Sequence, residues 1–228
     1  VSAHVYLSSA FHGWRTPPFF LELVRQVGPI ALDPCTTRDN PTGAARIYVA
    51  PASPFDSSPC GLSSPWWAGG LVYANPRYGR YLRGPVRPRA PVLKTVDGVK
   101  RLEGFGTGWV AKMCEHRGEG LYLVPSRTDT TWWRELYAWC DWLVQWSSAE
   151  HGSRIHFIDP ATGEQVKGSN LPSSVFYRGP RAQAFCEAFA PHGTLHPGAK
   201  TLQTLLRLHY TTAERSLVGG LEEEPWKT

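Results

Sequence analysis

Apolar positions in this chain fall into short dense runs separated by longer amphipathic stretches. The runs at 30–33, 45–49, 70–74, 120–124, 142–146, 154–158 and 174–178 have the length and the β-branched and aromatic content of strands. Between and around them, 18–27, 107–116, 130–140, 181–189 and 200–216 repeat apolar residues at helical spacing. Strands that alternate with helices predict an α/β fold: a mostly parallel sheet with helices on both faces. The later strands follow one another closely, with Asp159, Pro160 and Gly163 marking a turn between two of them, which predicts an antiparallel edge.

Local signals sharpen this outline. Thr16 precedes Pro17 and Pro18, and proline is favoured in a first helical turn. Asp129 stands just before 130–140 and is the expected cap of that helix. Leu202, Leu205, Leu206 and Tyr210 form a helical stripe, which predicts that the last helix packs on the domain. Two regions read as irregular loops or insertions, the Pro- and Ser-rich 51–65 and the basic 84–106, and 222–228 reads as a tail. The division expected is one domain over 1–195, then a C-terminal helix and tail over 196–228.

Composition narrows the class. At 228 residues and 42% hydrophobic the chain can bury a sizeable core, and its ten Trp, nine Tyr and nine Phe fill much of it. A net charge of +5 permits a nucleic-acid partner without requiring one. The positive charge is concentrated at Arg77, Arg80, Arg83, Arg87, Arg89, Lys94, Lys100 and Arg101. Five cysteines without a Cys-x-x-Cys pair argue against a disulfide framework and a zinc site, and point to a reducing cytoplasm. No run is long enough to span a membrane, and the first ten residues are too polar for a secretory signal. The chain opens on Val1, so the native start is expected at or just before it.

The chemistry-bearing segment is 71–80. An apolar run, Leu71 to Ala74, enters a turn of Asn75, Pro76, Arg77, Tyr78 and Gly79 and leaves beside Arg80. An amide, a rigidified main-chain carbonyl and an aromatic ring within four residues suit a planar aromatic amine. Asp33, followed by Pro34 and Cys35, ends the first apolar run. A carboxylate there is fit to accept hydrogen bonds from an ammonium or a ribose. Ligands bind outside the carboxyl ends of strands in open α/β sheets, so Asp33 and Asn75 are expected to face one crevice.

On these segments, together with Trp14 to Phe20 and the stretch Leu-Val-Pro-Ser-Arg-Thr-Asp-Thr-Thr-Trp-Trp at 123–133, the sequence resembles the phage and prophage Dam-like N6-adenine DNA methyltransferases. Weaker echoes at 153–157 and 173–177 extend the likeness over roughly residues 11 to 180. The resemblance implies a Rossmann-like class I methyltransferase sheet, S-adenosylmethionine as cofactor, DNA as partner, and a bacterial host's cytoplasm as setting. It implies catalysis by Asn75, Pro76 and Tyr78, with Asn75 Oδ1 and the Pro76 carbonyl accepting from the exocyclic amine and Tyr78 stacking on a flipped base. It places the cofactor against Thr16, Pro17, Asp33, Pro34, Cys35 and Asn75, and the DNA near Arg77, Tyr78, Arg80, Arg127, Thr128 and Asp129. The ribose-binding acid is not evident; Asp56 is one candidate.

The chain departs from the family at Arg77, where a second proline is usual. That proline would hold Pro76 extended. Three consequences stay open: a phosphate contact by Arg77, altered substrate choice, or lost turnover. The basic segment 80–101 is the candidate DNA contact, against the alternative of a solvated loop. Arg127 to Asp129 read equally as a crevice lining or a helix cap with an exposed arginine. His192 and His196 flank a glycine turn and, without a third ligand, read as surface histidines; no metal is expected. Cys35, with no base nearby in sequence, reads as a small packing residue. The rival functions are N4-cytosine transfer and a weakened, DNA-binding relative on the same fold.

Overall fold

Pro18 opens the first helix because its missing N–H is one the first turn leaves unpaired anyway. Phe20, Leu21, Leu23, Val24 and Val27 then recur on one side and are buried, while Glu22, Arg25 and Gln26 face water. The computed structural model describes residues 14–49, 61–62, 64–66, 69–76, 92–96, 99–103, 108–166 and 172–219. Its helices are α1 (Pro18–Val27), α2 (Trp109–Glu115), α3 (Thr131–Trp139), α4 (Ala182–Phe189) and α5 (Ala199–Gly219). Its strands are β1 (Ile30–Thr36), β2 (Arg46–Val49), β3 (Leu71–Ala74), β4 (Val92–Val96), β5 (Val99–Glu103), β6 (Gly120–Pro125), β7 (Trp142–Trp146), β8 (Ser173–Arg178) and β9 (Gly193–Pro197).

Seven strands form one mixed sheet in the order β2-β1-β3-β6-β8-β7-β9, and β4 and β5 form a separate antiparallel pair. β2, β1, β3 and β6 pair in parallel. β8 runs against both β6 and β7, and β9 against β7. The fold is therefore α/β, with the expected parallel half and an antiparallel half wider than an edge.

Strand alternation sorts the core into two layers. Tyr73, Leu121, Leu123, Val144 and Tyr177 point to one face, where Phe20 and Val24 of α1 and Phe185 and Phe189 of α4 cover them. Val72, Ala74, Tyr122, Val124 and Phe176 point to the other, under Trp109 and Met113 of α2 and Trp133, Leu136 and Trp139 of α3. Helices thus cover both faces, as expected.

Several expectations fail. The alternating run at 154–158 buries Ile155 and Phe157 but forms no strand; only Ile158 bridges, to Arg15 and Gln165. It is an extended segment held by its side chains. The glycine turn near His192 instead leads into β9, and the basic loop at 84–106 contains β4 and β5. α5 does not bury its leucine stripe: Leu202, Leu205, Leu206 and Leu208 are all exposed. Among the described residues no helix is long and apolar enough to cross a membrane.

Candidate active site at the carboxyl edge of the sheet

β1, β3, β6 and β7 run the same way, so their last residues line one edge of the sheet. Tyr73 points to the α1 face and Ala74 away from it, which returns Asn75 to the α1 side. There Asn75 Nδ2 donates to Thr16 Oγ1 at 3.0 Å, just before α1 begins. The same hydroxyl shares a 2.8 Å hydrogen bond with the phenol of Tyr73. Thr16 and Tyr73 are both buried. This chain fixes the amide's nitrogen and leaves its oxygen on the opposite branch. Pro76 is buried beside it.

Asp33 ends up on the neighbouring strand, 3% exposed. Its Oδ1 accepts the Cys35 N–H at 3.0 Å, closing a side-chain turn where β1 shifts register between Asp33 and Thr36. Pro34 lies inside this irregularity, where proline does no damage to the ladder. Burial pushes the Asp33 carboxyl up to about 6, although hydrogen bonds from the Cys35 amide, Thr42, the Cys35 thiol and Thr36 pull it back. Among the described residues, none of the groups acting on it is a cation.

Cys35 joins the two strand ends, since its thiol is hydrogen-bonded by the main chain of Asn75. Burial, reinforced by the Asp33 charge, raises that thiol well above its ordinary range, so it remains protonated and unreactive at neutral pH. The β1–β2 connection is clasped by Asn40, which takes the left-handed conformation that asparagine tolerates, with φ 48°. Its carboxamide accepts the Ala44 N–H at 3.1 Å and donates to the Ala44 carbonyl at 2.9 Å. Arg15 pairs with Asp39 across the same loop. Thr16, Asp33, Pro34, Cys35 and Asn75 thus come together around one edge, with Pro17 buried as the residue before α1.

The β6–α3 turn sits one strand over. Asp129 does not cap α3: it pairs with the Arg127 guanidinium at 3.2 and 3.3 Å, and Thr130 is the residue at the cap position. The Thr130 hydroxyl instead donates to the Arg127 carbonyl at 2.7 Å. Thr128, with Ser126, Gln145, Ser147, Ser173 and Thr194, lines an open groove of about 480 Å³ along the same edge, walled by Trp146 and Pro172. That volume suits a nucleoside-sized group. None of its described lining residues is charged. Trp132 and Trp133 are both buried in the core. Arg77, Tyr78, Arg80 and Asp56 lie outside the described residues.

His192 is not a surface residue and does not neighbour His196. It is 9% exposed and stacks on Trp146, with ring centroids 5.5 Å apart. His196 pairs with Leu143 further along β9. The neighbours of His192 are Ser148, His151 and Glu150, from the loop after β7. Sequence spacing could not reveal this, because the partners lie some forty residues apart and β9 was not expected. Tyr73 and Thr42 escaped notice because a strand tyrosine and a loop threonine read as packing and turn. Comparison with models of known protein families, with curated proteins and with solved structures gives no match.

Proposed function

We propose that this chain is an S-adenosylmethionine-dependent methyltransferase acting on the N6 amine of adenine in DNA. The single observation that carries the reading is the Tyr73–Thr16–Asn75 hydrogen-bond chain, which orients the Asn75 carboxamide at the carboxyl end of β3 beside the buried Pro76. The mixed sheet with helices on both faces is compatible with a Rossmann-like methyltransferase.

The residues suit the cofactor's chemistry. Asp33 is a desolvated carboxylate with no cation acting on it among the described residues, and an ammonium beside it would stabilise its charge. Thr16, Pro17, Pro34 and Cys35 would hold the rest of the molecule. When bound, the cofactor supplies a methyl group already activated by its sulfonium.

The chain's own task is then to present the amine. Asn75 Oδ1 and the Pro76 carbonyl accept its two hydrogens, which draws the nitrogen lone pair out of conjugation. These acceptors strengthen as positive charge develops on the nitrogen, so they favour the transition state over the ground state. Thr16 and Tyr73 are positioning residues that keep Asn75 from rotating its donor face toward the amine. Thr128 and the groove beside it offer a polar path for the displaced strand, while phosphate charge is left to the basic segment 80–101.

The test is nucleoside mass spectrometry of DNA incubated with the protein and S-adenosylmethionine. N6-methyladenine should appear, and Asn75→Ala should lower its rate by about 100-fold or more while DNA affinity changes little. N4-methylcytosine in its place would correct the target base. A protein that binds the cofactor and DNA yet transfers nothing would overturn the proposal.

A further inference from the structure

The structure assigns a second, independent site: Glu150, His151 and His192 form a binding site for a divalent transition-metal ion such as zinc. One ligand atom from each of the three lies within 4.8 Å of the others. A tetrahedral zinc ion needs neighbouring ligand atoms about 3.4 Å apart. The difference is within reach of a turn of the exposed Glu150 side chain and a small tilt of the His151 ring. Two imidazoles and a carboxylate are a donor set that zinc and its neighbours in the first transition row favour over calcium or magnesium.

The histidines are held as ligands are held. A single buried hydroxyl, Ser148 Oγ, lies 3.1 Å from His192 Nδ1 and accepts the main-chain N–H of His151 at 3.0 Å. With Nδ1 engaged by Ser148, the other ring nitrogen, Nε2, is the one left to bind a metal. Both rings are also clamped by aromatics. His192 lies against Trp146 at an interplanar angle of 11°, and His151 lies on Phe19 with centroids 4.0 Å apart. The loop that carries Glu150 and His151 is itself closed. Ser148 bridges Gly152, Gly152 takes φ 83°, and the Trp146 indole donates to the Gly152 carbonyl at 3.1 Å. The Ser147 N–H donates to the His192 carbonyl at 3.0 Å, which ties this loop to the turn before β9.

A salt bridge alone, Glu150 to His151 at 3.6 Å, would leave His192 without a role in this cluster. Because Trp146, Ser147 and Thr194 line the groove at the carboxyl edge, an ion here would brace one of its walls.

The probe is cobalt(II) alone, titrated into the full chain and followed by its visible absorption, with zinc used as competitor. One equivalent should bind, with the band intensity of a low-coordinate nitrogen–oxygen site, and zinc should displace it. Glu150→Gln leaves an exposed position unchanged in shape and should weaken binding at least about ten-fold. His192→Gln should abolish the spectrum, with circular dichroism confirming that the variant is folded. No saturable spectrum, or one that both variants leave intact, would overturn the assignment. Methyl transfer plays no part in the readout, so this site and the proposed activity stand or fall separately.

Discussion

Asp33 carries a pH signature. In the native state its carboxyl is pushed up to about 6 from an ordinary 3.8. The folded protein therefore takes up this proton more readily than the unfolded chain. Its contribution to stability is greatest below about pH 4 and is lost as pH rises through 6. Two units amount to about 3 kcal/mol at neutral pH. Asp33→Asn keeps an oxygen for the Cys35 amide and cannot ionise. The variant should melt higher than the wild type at pH 8, and the two curves should converge near pH 4. The same change should weaken S-adenosylhomocysteine binding by ten-fold or more, since an ammonium would lose its counter-charge. A variant less stable at every pH would show that the burial of Asp33 is compensated by its hydrogen bonds. Thr16 makes a complementary case. Thr16→Val removes the hydroxyl that links the Tyr73 phenol to the Asn75 carboxamide. It should lower stability by about 1–3 kcal/mol and reduce kcat more than it changes KM, and Thr16→Ser should restore both.

At the scale of elements, one clamp joins three of them far from the site. The Arg181 guanidinium forms a bidentate pair with Glu119, which is only 7% exposed. The Tyr177 phenol donates to the same carboxylate at 2.6 Å and accepts the Arg181 N–H at 2.8 Å. A Cβ on Gly28, just past α1, would collide with that guanidinium, so only glycine lets it close over the helix end. Arg181→Ala would strand the Glu119 charge and should destabilise the fold by about 3 kcal/mol, read as a lower urea midpoint. Much of this layout was legible in advance. The bounds of α1 and β7 match expectation because strong periodicity and clear breakers mark them. β1 was expected to stop at Asp33, since Pro34 argues against a central strand, yet the chain bulges there and pairs on to Thr36. β9 was missed because its Gly193, His196 and Pro197 look like a loop, and an edge strand paired on one side tolerates them. β4 and β5 carried a signal that charge obscured: β-branched runs on either side of Asp97 and Gly98, a common hairpin dipeptide.

The whole molecule separates chemistry from support along the strand axis. Asp33, Asn75, the groove and the histidine cluster lie where β1, β3, β6 and β7 end. Glu119 and Asp141 lie where β6 and β7 begin, next to the ends of β8 and β9. The sequence could place Asp33 and Asn75 at strand ends but could not show that Cys35 and Thr16 would tie them together, since those contacts span up to 59 residues. α5 leaves from the supporting end. Near its start the Gly198 N–H donates to the Asp141 carbonyl at 2.7 Å and the Leu202 N–H to the Gly198 carbonyl at 2.8 Å, and the helix also approaches α3 and β9. From Leu202 onward its described leucines meet water, and none of them belongs to either core layer. Ending the chain at Lys200 should therefore shift the melting temperature by less than about 4 °C, the equivalent of roughly 1 kcal/mol for a domain of this size. S-adenosylhomocysteine affinity should stay the same, because α5 starts at the end of the sheet opposite the carboxyl edge. A loss of stability well beyond that, or a weakened ligand, would mean that α5 folds back on the domain through its distal half and supports the site from the far side of the sheet.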